Sequence, residues 1–237
     1  MTWPKRLYEI TSAEKKVLEQ IYQDFQSWGY TGLIGWVQNL GHKYIERMSH
    51  IKSINPKSSE KTMSLEIGCG NGWHFQYAKT HHYVGIDCRY SLLSNARVKF
   101  PHFPLLQADA YNLPFADFTF DRVVSIYVFE HLNRLPECLS EIKRVLKPQG
   151  ELLVGLPAEG GLAYGLGRWF TSKRYFEKRY GIDYMRIVHS EHCNTCLEVI
   201  RELSKLFSIQ TIRYLPFFIP SVNLAAVSVV RCRWREC

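Results

Sequence analysis

The sequence predicts an α/β protein: a doubly wound, mostly parallel sheet of seven strand candidates, with an N-terminal helical extension and an insertion after the fifth strand. Three observations carry that expectation. Five short apolar runs alternate with helical patterns across residues 62–157, which is how a parallel sheet covered on both faces reads. Glycines at alternate positions follow the first run. One more helix and two more strand-like runs close the chain. With 46% hydrophobic and 22% charged residues in 237, the composition is that of a folded globular chain rather than a disordered one.

The elements follow in order. Residues 1–60 form the helical extension, set apart from a main domain over 61–237. Thr11 and Glu14 have capping-box spacing, and Val17, Leu18, Ile21, Tyr22 and Phe25 repeat on one helical face. Ile34, Val37, Leu40, Tyr44, Ile45 and Met48 mark a second helix. The polar, Pro-containing stretch 53–61 reads as a linker. Strands are expected at 64–67, 83–87, 105–108, 122–127 and 151–156, and Lys147-Pro148-Gln149-Gly150 as a helix stop turning into the fifth. Residues 158–194, rich in Gly, aromatic and basic residues, break the alternation. Thr195 and Glu198 cap a helix running to about 207, and strands are expected at 209–214 and 224–232.

The most informative segment is Leu65-Glu66-Ile67-Gly68-Cys69-Gly70-Asn71-Gly72-Trp73, between a strand and an expected helix. Glycine there allows positive φ and lets a ligand touch bare backbone. A dinucleotide fingerprint would need a third glycine at position 73, which is Trp73, and no Walker Gly-Lys-Ser/Thr is present. Two more acids sit at later strand ends. Asp87 can accept hydrogen bonds from a ribose diol, and Asp109 from an adenine amino group, with the Ala110 amide as a donor. Three acids and a bare turn at successive strand ends suit a nucleoside that carries a positive group.

LEIGCGNG, VGID, QADAYNLPFADFTFDRVVSIYVFEHL and EIKRVLKPQGELLVGLP, in that order, resemble the class I S-adenosylmethionine-dependent methyltransferases, and the last two blocks resemble the ubiquinone/menaquinone-biosynthesis type. The resemblance covers residues 62–157. It implies a Rossmann-like sheet with an antiparallel last strand and S-adenosyl-L-methionine as cofactor. It also implies roles by position: Gly68, Cys69 and Gly70 at the methionine moiety and Glu66 at its amino end. Asp87 would hold the ribose, Asp109 and Ala110 the adenine, and Tyr127 would line the sulfonium pocket.

An activated methyl group leaves alignment and proton removal to the protein. His131, just past the fourth strand, is the candidate base, with Glu130, His189 and His192 nearby in sequence. The fourth-strand segment Ser125-Ile126-Tyr127-Val128-Phe129 has neither the Pro-Pro motif of nucleic-acid amino-methyltransferases nor a Pro-Cys nucleophile. The expected acceptor is therefore a small molecule, an oxygen of a sugar or of a lipid-linked intermediate, ahead of RNA. A silent cofactor-binding module is the remaining alternative.

The insertion 158–194 is expected to form a substrate lid. Its basic residues interleave with Trp169, Phe170, Tyr175, Phe176 and Tyr180, a mixture suited to a lid helix packed on the core, to a membrane surface through 160–180, to a lipid-linked or phosphorylated acceptor, or to single-stranded nucleic acid. His189, His192, Cys193 and Cys196 have zinc-like spacing, but they sit beside one helix cap and no metal is expected. Seven cysteines, an odd number, and an N-terminus interrupted by charges give the expectation of a reduced, cytoplasmic protein, with the membrane surface as a peripheral option.

Overall fold

The computed structural model describes residues 11–28, 32–49, 62–78 and 82–235. The expected 53–61 linker falls outside them. Helix α1 spans Ser12–Trp28 and α2 Gly32–Met48. The Thr11–Glu14 capping box forms: the Thr11 N–H donates to Glu14 and the Glu14 N–H to Thr11 Oγ1.

Seven strands follow: β1 Met63–Ile67, β2 His82–Asp87, β3 Leu105–Gln107, β4 Phe120–Ile126, β5 Leu146–Pro157, β6 Phe207–Leu215 and β7 Val227–Trp234. They join in the order β3-β2-β1-β4-β5-β7-β6, with β7 antiparallel to both neighbours. Helices α3 (Tyr90–Lys99), α4 (Leu135–Val145), α5 (Leu162–Arg168), α6 (Arg174–Tyr180), α7 (Tyr184–Glu191) and α8 (Cys196–Leu206) complete the chain. The chain order reverses between β1 and β4, so a crevice opens at their carboxyl ends.

Period-two alternation sorts the sheet's side chains. Val123, Leu152 and Val154 face a core shared with Leu139 of α4 and Val199 of α8. Val124, Leu153 and Val229 face the opposite core, where Ile45 of α2 is fully buried. Helix α2 is therefore a wall of the sheet domain rather than a separate extension.

Several sequence-based boundaries differ. Tyr127 leaves β4 because its backbone turns to φ 59°. The strand β5 begins at once after α4, so the expected Lys147–Gly150 turn lies inside it, where the pairing with β4 is irregular between Phe120 and Arg122. The helix expected after the glycine loop is a single 3₁₀ turn, Trp73–Gln76, in an aromatic segment of weak helix propensity. Leu224 belongs to a short turn before β7 rather than to the strand.

Candidate functional site

The crevice holds a cavity of about 1280 Å³. Its walls come from the glycine loop, the ends of β2 and β4, the segment after β3, helices α1 and α2, and the insertion. Gly68, Gly70 and Gly72 all have positive φ. A Cβ on Gly68 would stand 2.3 Å from a Val128 methyl, whereas one on Gly70 would meet only Leu92 Cδ1, at 3.9 Å. Gly68 is thus required by packing and Gly70 by its turn, and both leave main chain facing the cavity.

Each expected ligand-binding residue lines this cavity. Asp87 is buried, and both of its oxygens already accept backbone donors: Gly70 N–H at 2.9 Å to Oδ2 and Arg89 N–H at 2.9 Å to Oδ1. One carboxylate thus fixes the glycine turn and keeps lone pairs for a ligand. Glu66 is buried and accepts from the Tyr83 hydroxyl at 3.1 Å; desolvation raises its carboxyl above the ordinary value. Cys69 is buried, which pushes its thiol up, and its carbonyl closes the turn by accepting from the Gly72 N–H at 2.8 Å. Asp109 lies at the exposed edge and accepts from the Tyr111 N–H at 2.9 Å, with Ala110 beside it. Tyr127 also lines the cavity, but its hydroxyl reaches across to the Gln38 carbonyl of α2 at 3.2 Å.

The far end is built around Glu130 and His131. The Glu130 carbonyl accepts from the Cys193 and Asn194 N–H groups, and the Asn194 amide donates to the Phe129 and Leu132 carbonyls. These bonds clamp the short Phe129–His131 turn. The Glu130 side chain is 3% exposed, and its Oε2 has no hydrogen-bond partner among the described residues. Burial, with a smaller contribution from Glu159, pushes this carboxyl up to about 8. His131 Nδ1 donates to the Glu191 carbonyl at 2.9 Å, which leaves Nε2 as an acceptor. Burial, with His192 beside it, lowers the His131 ring to about 3. So depressed a ring is a weak base near neutrality. Glu130, next to it in the chain and lining the same cavity, is the second titratable candidate at this end.

Three arrangements were not legible in the sequence. First, Glu159 pairs in the interior with both Arg168 and His192, tying β5, α5 and the segment before α8 together. Burial would raise the Glu159 carboxyl, but the His192 hydrogen bond and the Arg168 charge outweigh it and hold it at about 2. Second, Tyr22 of α1 donates to Glu191 at 2.7 Å, while the Arg89 guanidinium lies 4.0 Å from its ring centroid. Third, Arg122, fully buried in β4, pairs with Glu46 of α2, which also meets His74 at 3.0 Å. The expected zinc-like set does not converge. His192 faces Glu159, Cys193 faces the Glu130 carbonyl, and Cys196 is buried in α8. Among the described residues no group of three or more His, Cys, Asp and Glu side chains could hold a metal.

Residues 65–154 match the family model of the methyltransferase domain. The chain is 36% identical over 107 residues to malonyl-[acyl-carrier protein] O-methyltransferase of Erwinia pyrifoliae, covering 44% of this chain and 41% of that one. It is 30% identical over 118 residues to demethylmenaquinone methyltransferase of Streptomyces avermitilis, covering 49% of this chain and 50% of that one. The chain thus spans about half the length of the curated relatives it matches. Among solved structures, N-methyltransferase NodS of Bradyrhizobium japonicum, in complex with S-adenosyl-L-homocysteine, superposes with a TM-score of 0.64. That match has 17% identity and covers 95% of this chain and 100% of that one. A methyltransferase from Thermotoga maritima, described as a possible histamine N-methyltransferase, gives a TM-score of 0.61 at 18% identity, covering 93% and 99%. The two structures share the fold.

Proposed function

The chain carries a class I S-adenosylmethionine-dependent methyltransferase domain, and we propose that it moves a methyl group from that donor to an oxygen of a small acceptor, a sugar or a lipid-linked intermediate. The observation that supports this most is continuity. One cavity joins Asp87 and the glycine turn to Glu130 and the underside of the insertion.

The residues present suit the cofactor. A buried carboxylate with spare lone pairs, a bare main-chain turn, and no Lys or Arg within 65–73 fit a cationic nucleoside better than a pyrophosphate. Asp87 would accept from the ribose hydroxyls, Asp109 and Ala110 would meet the adenine edge, and Gly68, Cys69 and Gly70 would lie along the amino-acid moiety with Glu66 near its amino end. Tyr127 would wall the reacting end. The bound cofactor supplies an activated methyl group.

The chain's own work is then alignment and proton removal. Bound S-adenosylmethionine would supply the methyl carbon to the acceptor oxygen, its sulfur keeping the bonding pair as the leaving group. The hydroxyl proton passes to Glu130, whose carboxyl near 8 is matched to a general base at mildly alkaline pH. His131 Nε2 stands 3.9 Å from Glu130 Oε1, beside the group that takes the proton.

Incubation with a labelled methyl donor and separate panels of glycans, prenyl-linked intermediates and RNA tests the reading. Release of S-adenosylhomocysteine that depends on a glycan or lipid acceptor supports it. Release with RNA alone would move the assignment to nucleic acid, and cofactor binding without release to any panel would make the protein a binding module.

A further inference from the structure

The first part of the insertion carries an apolar stripe outward, while Phe176, Ile187 and Val188 further along are buried. Helix α5 continues through a π turn, Trp169–Lys173, into α6. Along it Leu162, Leu166, Trp169 and Phe170 recur at i, i+4, i+7 and i+8, a single helical stripe. All four point to solvent, at 70, 61, 51 and 60% exposure. The opposite side carries Tyr164 and Arg168 into the cavity wall, with Arg168 buried against Glu159. A surface helix of a water-soluble domain does the reverse.

A second apolar group stands beside the stripe. The loop between β6 and β7 exposes Phe217, Phe218, Ile219 and Leu224. It abuts the start of α5 so closely that a Cβ on Gly161 would lie 2.3 Å from the Val222 carbonyl oxygen. Phe217 and Leu224 line the same cavity as Tyr164 and Gly167. The loop thus reaches the cavity through Phe217 and Leu224, and the stripe lies on the outer side of the wall that Tyr164 and Gly167 form.

Charge selects the occupant. Beyond the buried Arg168, residues 162–180 hold Lys173, Arg174, Lys178 and Arg179 against one acid, Glu177. Lys173 Nζ stands 3.8 Å from the Trp169 ring centroid, and the Arg174 guanidinium 5.6 Å from that of Phe170. Cations held beside outward aromatics match the boundary between acyl chains and anionic headgroups. No helix among the described residues is long and apolar enough to cross a membrane, so the contact would be peripheral.

We propose that this face, the α5–α6 stripe with the β6–β7 loop, seats on an anionic lipid surface and turns the cavity mouth toward it, so that a lipid-linked acceptor enters from the membrane. The proposal deepens the acceptor reading above and rests on it for the entering molecule. The docking itself is tested without turnover.

Full-length protein is sedimented with phosphatidylcholine vesicles containing 30% phosphatidylglycerol (about a third anionic lipid, as the electrostatics require) and with pure phosphatidylcholine. Binding to the anionic vesicles, weakened by salt, is expected. Trp169→Ser with Phe170→Ser should lower the partition coefficient at least tenfold (roughly two interfacial aromatics). Lys178→Ala with Arg179→Ala should lower it by about thirtyfold, about one kilocalorie for each cation. All four residues are exposed, so far-UV dichroism and Tm should match the parent. Absence of vesicle binding overturns the proposal. So does a concentration-dependent dimer in sedimentation velocity that the Trp169/Phe170 variant dissolves, which would make a second copy the occupant. Calorimetry with S-adenosylhomocysteine on the same samples separates the two ideas: retained cofactor binding without vesicle binding sinks the docking alone.

Discussion

Asp87→Ala is the sharpest test of the cofactor site. In the structure this carboxylate does two jobs: it holds the Gly70 and Arg89 amides, each at 2.9 Å, and it faces the cavity at the end of β2. A ribose diol would add two hydrogen bonds to a charged acceptor, each worth ~1.5–3 kcal/mol. Losing both costs about 3–6 kcal/mol, on the order of a 10²- to 10⁴-fold rise in Kd. The stability cost is smaller. The two amides lie beside a solvent-reachable cavity, so unfolding should become easier by only ~1–2 kcal/mol, a Tm drop of about 2–8 °C. Isothermal titration with S-adenosylhomocysteine measures the first quantity and thermal unfolding the second. A Kd within threefold of the parent, in a variant that still folds, would refute the assignment of Asp87 to the ribose.

Glu130→Gln should abolish turnover gains at alkaline pH: in the parent, kcat/KM should climb through about 8 and level off, and in the variant the profile should be flat. Because the folded carboxyl is raised, the stability of the parent relative to the Gln variant should decline as pH rises between about 4.5 and 8, where only the unfolded chain releases the Glu130 proton; the difference between the two proteins' urea midpoints across that range decides it. Acidification acts oppositely through His42 and His131, both lowered by burial: stability present above about pH 6.5 should fall as the unfolded chain takes up protons that the folded chain refuses. It should fall more steeply below about pH 4.5, where Glu46 and Glu159, held near 2, join in. Gly68→Ala meets Val128 at 2.3 Å and keeps a φ of 71°, so it should weaken cofactor binding severely; a second change, Val128→Ala, should restore part of the stability and leave the backbone strain of ~1–2 kcal/mol, readable by denaturant titration. Arg122→Met leaves buried Glu46 with His74 but without its guanidinium partner, and should cost ~3 kcal/mol in the same assay.

The sheet was legible because each strand is a short apolar run whose alternate residues face different cores, as Val123 and Val124 do. The cofactor side of the site was legible for a related reason. Its residues sit at strand ends, so sequence position fixes spatial position: Glu66 in the last part of β1, Gly68 just after it, Asp87 at the end of β2, Asp109 after β3. The acceptor side was not. Asn194 clamps the Glu130 turn from 64 residues away in the chain, and Glu191 sets the His131 tautomer through a main-chain carbonyl, which carries no sequence signature. The direction of the stripe on α5 was left open by pattern alone. Helical spacing gives a face but not the direction it points; burial of Arg168 against Glu159 decides that.

The two kinds of attachment in the fold differ in physical character, and the difference bears on function. Helices α4 and α8 are held to the sheet by apolar stripes, which tolerate sliding and repacking as long as volume is kept. The elements that wall the cavity are held by buried polar contacts as well: Glu46 of α2 on Arg122, Arg168 of α5 on Glu159, Tyr22 of α1 on Glu191. Desolvation makes such pairs poor sources of net stability, so hydrophobic replacements of equal volume would hold the helices about as well. What those replacements would lose is register. A guanidinium clamped on a carboxylate allows one rotation of its helix, and a rotation of α5 would carry Arg168 out of the wall and the Leu162–Phe170 stripe into it. Helix α1 extends the same logic, since Tyr22 meets Arg89 beside Asp87 and Glu191 beside His131. One side chain thereby spans both halves of the cavity, so displacing α1 would disturb the Asp87 end and the His131 end together.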